Sequence, residues 1–387
     1  VSEKQFKIAF VTTFDPAGKH TWSAVSYTMG LALDKHFGSV ENLGPLRPNL
    51  RLLNFISRLI KQLTGKIYNI AQSVILARQY AHQVEDKLKN NDFDVIIAPA
   101  ASAALSNLKT DIPIIYYTDT TFKALYNYYE WFSGFIWLSV WEGNKIEKKA
   151  LENSDIIVAA SKWAEKSIIN DYHIDKGKVH VMPMGANSDF IPDRKDVLPK
   201  VKGDVCKLLF LGKEWERKGG DICVETFVAL KEMGIPVVLT MVGCPLPDKF
   251  KNLGITHIPF LDKNNPEEKK KYYDLLKDSH FLVVPTRAEC FGSVYAEVAA
   301  YGMPSFANDT GGVSGSVKNG VNGYRLQPAD RGDKYAVKIA EIYNNFEEKY
   351  IPLSISTRDR FEKELNWDSW AINLKKIFED FLKNKED

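Results

Sequence analysis

The sequence predicts an α/β protein made of two doubly wound domains in succession. Three observations predict it. Short Val/Ile-rich runs without polar alternation are separated by helical patterns, which is how parallel strands covered on both faces read. The same pattern restarts at Lys207, and a Pro- and charge-rich stretch, residues 191–204, separates the two series. A length of 387 residues suits two cores, at roughly 100–200 residues per domain.

The first series opens with residues 6–12, a β-rich run, then a Gly/Pro/Asp loop at 15–18 and a helical pattern over 26–33. Further strand-like runs fall at 95–98, 114–117, 156–159 and 179–182. The second series reads strand 207–212, helix 220–233, strand 237–242, strand 256–258, Lys/Glu-rich helix 266–277, strand 281–285, helix 293–301 and strand 304–307. The terminal segment carries Trp370, Leu374, Ile377, Phe378 and Phe381 at helical spacing and needs a surface to lie on. The expected domains are residues 1–202 joined by the terminal helix 366–387, and residues 203–365. Two such domains predict a ligand cleft at the carboxyl ends of their sheets.

Composition narrows the function. Hydrophobic residues make up 45% and charged residues 26%, as in ordinary globular chains. With 51 basic and 49 acidic residues the net charge is +2, which argues against nucleic acid as a partner. Cys206, Cys223, Cys244 and Cys290 form no C-x-x-C pair and read as small apolar residues of a reducing compartment. Residues 1–11 lack a signal-peptide layout, and no run approaches the ~20 apolar residues of a membrane span. Asn308-Asp-Thr310 matches a glycosylation sequon by chance, so a cytoplasmic setting is expected.

The informative stretch is Pro285-Thr-Arg-Ala-Glu289-Cys290-Phe291-Gly292-Ser293-Val294-Tyr-Ala-Glu297. It places two carboxylates eight residues apart across a strand-to-helix junction, with an electropositive helix start between them. Gly292 lets a ligand approach the main chain. Carboxylates on either side of such a turn suit a ligand that is anionic in the middle and hydroxylated at both ends, as a nucleotide-sugar is. Upstream, Gly212-Lys213-Glu-Trp-Glu-Arg217-Lys218-Gly219 is a Gly-bounded loop with three cations that can neutralise a departing diphosphate. No Walker A motif and no G-x-G-x-x-G follows an opening strand, so the signatures of P-loop hydrolysis and dinucleotide redox chemistry are missing.

The E-x7-E spacing with Phe-Gly after the first Glu resembles the retaining GT-B glycosyltransferases of the large group 1 family. The resemblance covers nearly all of the second half and, more loosely, the strand order of the first. It implies two Rossmann-like domains facing each other across a cleft, with the last helix crossing back to the first. The first domain would be the acceptor side and the second would bind a nucleotide-sugar donor. Glu289 would contact donor-sugar hydroxyls, and the amides around Cys290, Phe291 and Gly292, with Ser293 and Val294 opening the helix, would hold sugar or phosphate. Glu297 would bind the ribose hydroxyls. Lys213 and Lys218 match the family's basic positions, Lys213 standing where Arg is commoner, and Arg217 is either a third diphosphate contact or a solvated charge. Gly243 and Phe260 fall where the family encloses the base, and Gly311 lies in a loop that faces the phosphates or is a plain turn.

In the first half the resemblance is thinner. One glycine, Gly18, stands where the family has a pair in the first loop. Asp119, just after the run 114–117, is an acceptor contact or a turn cap, and His20 is an acceptor contact or a solvated loop histidine. Phe122 to Trp141 contains nine aromatics, read either as a sugar- or membrane-facing surface or as the core packing of a long helix. Arg47, Arg51, Arg58, Lys61 and Lys66 alternate with Leu, Ile and Phe at helical spacing, which suits an anionic membrane surface on the inner face or an ordinary amphipathic helix. Asp92-Phe-Asp94 mimics a metal-binding D-x-D but leads straight into a strand, so no metal is expected, and no cofactor.

The expected reaction is metal-independent transfer of a hexose from a nucleoside-diphosphate sugar to a hydroxyl of a saccharide, glycolipid or protein-linked glycan. The family implies front-face attack, with the leaving phosphate taking the proton. As a loop cation, Lys218 is expected to serve turnover far more than stability. The alternatives are a nucleotide-sugar epimerase of the same fold and a non-catalytic partner subunit. The sequence does not choose the donor base.

Overall fold

A computed structural model describes residues 5–18, 21–89 and 91–386. The chain forms two compact units, residues 1–183 with 367–387, and residues 184–366.

The first unit is built on a parallel sheet of six strands: β1 (Phe6–Phe10), β2 (Gly38–Asn42), β3 (Val95–Pro99), β4 (Ile114–Thr118), β5 (Ile156–Ala159) and β6 (Val179–Val181). Their order is β2-β1-β3-β4-β5-β6, so the chain reverses its direction of travel across the sheet between β1 and β3. β3, β4 and β5 are buried along their whole length, as their Val/Ile-rich sequences require. The helix Trp367–Glu386 closes this unit. Phe378 is fully buried, with its ring 5.1 Å from Phe6 and 5.7 Å from Phe37, and Lys35 pairs with Asp368 at 2.7 Å.

The second unit repeats the plan with β7 (Cys206–Leu211), β8 (Val237–Val242), β9 (Thr256–Ile258), β10 (Phe281–Val284), β11 (Ser305–Asn308) and β12 (Gly323–Leu326). The order is β12-β11-β10-β7-β8-β9, again all parallel, with the reversal between β7 and β10. In such sheets the loops at the carboxyl ends of the two reversal strands diverge and leave room for a ligand.

Two expectations change. Residues 191–204, read as a linker, pack within the second unit: Arg358 donates to Pro192 O at 3.0 Å and Tyr343 to Gly203 O at 2.9 Å. The aromatic run is not one long helix. It breaks into the turns Phe122–Leu125 and Glu130–Phe132 before the helix Trp137–Asn153, with Asn127 and Gly134 at positive φ. Phe122, Tyr129 and Phe135 are core, whereas Trp131, Trp137 and Trp141 are exposed.

Candidate functional site

Within the second unit, the expected donor residues all sit at the carboxyl ends of neighbouring strands. Gly212 to Lys218 follow β7, Gly243 follows β8, Phe260 follows β9, Pro285 to Gly292 follow β10, and Gly311 follows β11. Lys218 is not a loop cation: it ends a single helical turn, Trp215–Lys218. Gly219 comes next at φ 74°, and a Cβ there would lie 2.1 Å from Pro285 O. Only glycine permits that approach, and it sets the Lys218 turn against the β10 loop.

The Lys218 ammonium meets the Glu289 carboxylate there, with the two side chains only 13% and 12% exposed. The Arg217 guanidinium reaches the same Glu289 oxygen at 3.3 Å, Ala288 O at 3.0 Å and Glu214 at 2.6 Å. Arg217 is therefore no solvated charge. Lys213 stands apart from this cluster, exposed, with its ammonium 5.5 Å from the centre of the Phe260 ring.

Gly292, at φ 83°, caps the helix Ser293–Ala299, and a Cβ there would meet the Tyr295 ring at 2.5 Å. The Cys290 and Phe291 side chains are buried, so what they offer a ligand is main chain. The Phe291 carbonyl already accepts from Ser316 Oγ at 2.6 Å. Ser293 and Val294 are half-buried at the helix start. The β11 loop is pinned to the β10 loop by Gly312 N–H to Glu289 O at 3.0 Å and Asn308 Nδ2 to Pro285 O at 3.2 Å, which places Gly311 beside them.

Glu297, one turn into the helix, is buried to 7% exposure. Its Oε2 accepts from the Tyr272 hydroxyl at 2.7 Å and from Lys263 Nζ at 2.9 Å. Burial, then the charge of Glu297, push the Tyr272 phenol well above its ordinary range, so it stays a donor at any physiological pH. Lys263 also lies over the Tyr272 ring at 4.2 Å. The sequence reading missed both residues. They precede Glu297 by 25 and 34 positions, and the readable signal was Tyr272 four residues before Leu276, one buried face on an otherwise charged helix.

In the first unit, Gly18 and Asp119 follow β1 and β4, both at the carboxyl end of that sheet. Gly18 N–H closes a turn onto Asp15 O at 3.1 Å. His20 lies outside the described residues. Trp22, Ser23 and Ala24 all take positive φ, 44°, 54° and 65°, a costly conformation for residues with a Cβ. Asp119 is half-buried, and its charge adds to burial in raising the neighbouring Tyr117 phenol. Asp94 caps the start of β3 by accepting from Lys7 N–H at 2.7 Å.

Two family models match the chain: glycosyl transferases group 1 over residues 206–345, and glycosyltransferase family 4 over residues 39–190. The chain belongs to the group 1 glycosyltransferases. Among related proteins, an uncharacterized glycosyltransferase of Methanocaldococcus jannaschii is 28% identical over 62% of this chain and 63% of its own length. A D-inositol 3-phosphate glycosyltransferase of Rhodococcus erythropolis is 28% identical over 47% of this chain and 44% of its own. The chain thus spans between 44% and 63% of these two curated relatives. The crystal structure of a glycosyltransferase from Rickettsia africae has the same GT-B fold, with a TM-score of 0.65 at 16% identity over 98% of this chain and 99% of that one. The E-x7-E stretch and the Lys218 turn both lie within the group 1 match.

Proposed function

We propose that this chain transfers a hexose from a nucleoside-diphosphate sugar to a hydroxyl acceptor on a glycan or lipid-linked saccharide, with retention of anomeric configuration. One observation carries the reading: Lys218 and Arg217 converge on Glu289 at the chain-reversal point of the second sheet. A cation pair already held there, mostly out of water, costs little reorganisation when a diphosphate arrives. Glu289, held in place by those cations, accepts hydrogen bonds from sugar hydroxyls. Oε2 of Glu297 is occupied by Tyr272 and Lys263, and Oε1 accepts from the ribose diol.

In the transfer itself, the acceptor oxygen forms a bond to the anomeric carbon as that carbon's bond to phosphate oxygen breaks. The acceptor proton passes to the leaving phosphate, giving a glycoside and a nucleoside diphosphate. Lys218, Arg217 and the amides before Ser293 offset the negative charge that builds on the leaving group. The scheme assigns no metal, cofactor or enzyme base a step.

Thermal unfolding of the chain with a panel of UDP- and GDP-sugars tests the donor. A bound donor at 100 times its Kd adds about 2.7 kcal/mol of stability and raises the Tm. Release of free sugar from that donor by the isolated chain then distinguishes an enzyme from a non-catalytic subunit. A panel that leaves the Tm unmoved, or a Glu297→Gln variant with unchanged nucleotide affinity, sinks the reading.

A further inference from the structure

Between Glu41 and Glu85 the chain has no acidic residue and six cations, Arg47, Arg51, Arg58, Lys61, Lys66 and Arg78, although the whole protein is nearly neutral. The helix Arg51–Thr64 lies in this stretch. Its apolar arc is wider than the fold uses. Leu53, Ile56 and Ile60 turn inward onto a small core with Tyr68 and Leu76. Leu52, Phe55, Leu59 and Leu63, spaced by three and four residues, form a second stripe that is 45–74% exposed. Arg51, Arg58, Lys61 and Lys66 are exposed around that stripe, and none takes an ion-pair partner among the described residues.

The apolar surface continues past the end of the helix. Lys66 is on the rim of an open groove of about 980 Å³ that Phe135, Trp137 and Trp141 also line. Trp137 is 77% exposed, and Trp141 carries Lys145 over its ring at 4.5 Å. Of the groove's other cations, Lys123 is neutralised by Asp171 at 2.9 Å and Lys148 is 3.7 Å from Glu152. The net positive charge therefore resides on the helix and its end, with Lys145 adding to it beside the tryptophans.

We propose that this face of the first unit docks on a membrane surface containing anionic lipid. The helix lies flat, with its outer Leu and Phe stripe in the acyl boundary, its Arg and Lys among lipid phosphates, and the tryptophans at headgroup depth. A second copy of the chain is a poor occupant, because a two-fold interface sets this acid-free cationic patch against itself. The proposal goes beyond sugar transfer and does not depend on it.

The test is co-sedimentation of the full chain with phosphatidylcholine vesicles, with and without phosphatidylglycerol. The chain should pellet with the anionic vesicles only, less so in high salt, and tryptophan emission should shift to the blue. Phe55→Ser with Leu63→Ser should weaken binding at least about tenfold while leaving the Tm unchanged, since both side chains are already in water. Equal binding to both vesicle types, no binding, or full binding by the double variant overturns the proposal. So does a wild-type dimer that the double variant converts to monomer without any vesicle binding. None of these readouts uses a sugar donor, so failure here leaves the transferase reading untouched.

Discussion

Lys218 and Glu289 illustrate how a pair can be structural and chemical at once. The sequence marks both residues, because a strand-end Glu and a cation before a glycine are visible in one dimension. It does not show that they meet across 71 positions with side chains scarcely exposed. Lys218→Ala therefore should not spare stability, contrary to what a loop cation implies. It takes the ammonium away from the scarcely exposed Glu289 carboxylate and should cost about 2 kcal/mol in denaturant unfolding. Lys218→Met with Glu289→Gln removes both charges and should recover most of that loss, while turnover stays at least about 100-fold down in a donor-release assay. Recovery of turnover along with stability would make the pair purely structural. Tyr272→Phe deletes one hydrogen bond to Glu297 and keeps the ring under Lys263. Calorimetric titration should show nucleotide affinity about fivefold weaker, at ~1 kcal/mol for the bond, with little change in Tm.

Secondary elements were legible in proportion to their burial. The buried strands of both sheets announce themselves as short apolar runs, Val/Ile-rich in β3, β4 and β5. Two strands went unread, β2 with Gly-Ser-Val-Glu-Asn and β12 with Gly-Tyr-Arg-Leu; both are outermost in their sheets, where one side faces no neighbour and polar residues are tolerated. The aromatic run left two readings open, an outward surface or a long packed helix, because ring content carries no period; the positive-φ Asn127 and Gly134 rule out the continuous helix. Inside the helix that follows, Glu147 is fully buried and accepts from the Tyr116 hydroxyl of β4 at 3.0 Å. Burial outweighs that bond and lifts its carboxyl from 4.5 to about 7. Between those values the folded chain holds one proton more than the unfolded chain, so this group's effect is to lower stability as pH rises from 4.5 to 7, by about 3 kcal/mol in all. Glu147→Gln should thus raise the Tm relative to wild type at pH 8 and lose that advantage at pH 5. An offset independent of pH would assign the carboxyl a normal titration.

For the whole molecule, pattern repetition in the sequence was enough to expect two α/β halves and a final helix needing a surface. Which residues complete that surface was not readable, since Phe6, Phe37 and Phe378 lie at opposite ends of the chain. Phe378→Ala should destabilise the first unit by about 3–5 kcal/mol. Unfolding followed by hydrogen exchange should show amides of β1 and β4 less protected and those of β7 and β10 unchanged. Equal loss in both sheets would mean that the units unfold as one. The division of the chain also fixes an order of events on the ribosome. Residues 184–366 are complete before the helix Trp367–Glu386 is made. At about 5–20 residues per second, the nascent N-terminal sheet waits on the order of ten to forty seconds with Phe6 and Phe37 uncovered. The half translated first is thus the half that matures last, and chaperone demand during synthesis should concentrate on it.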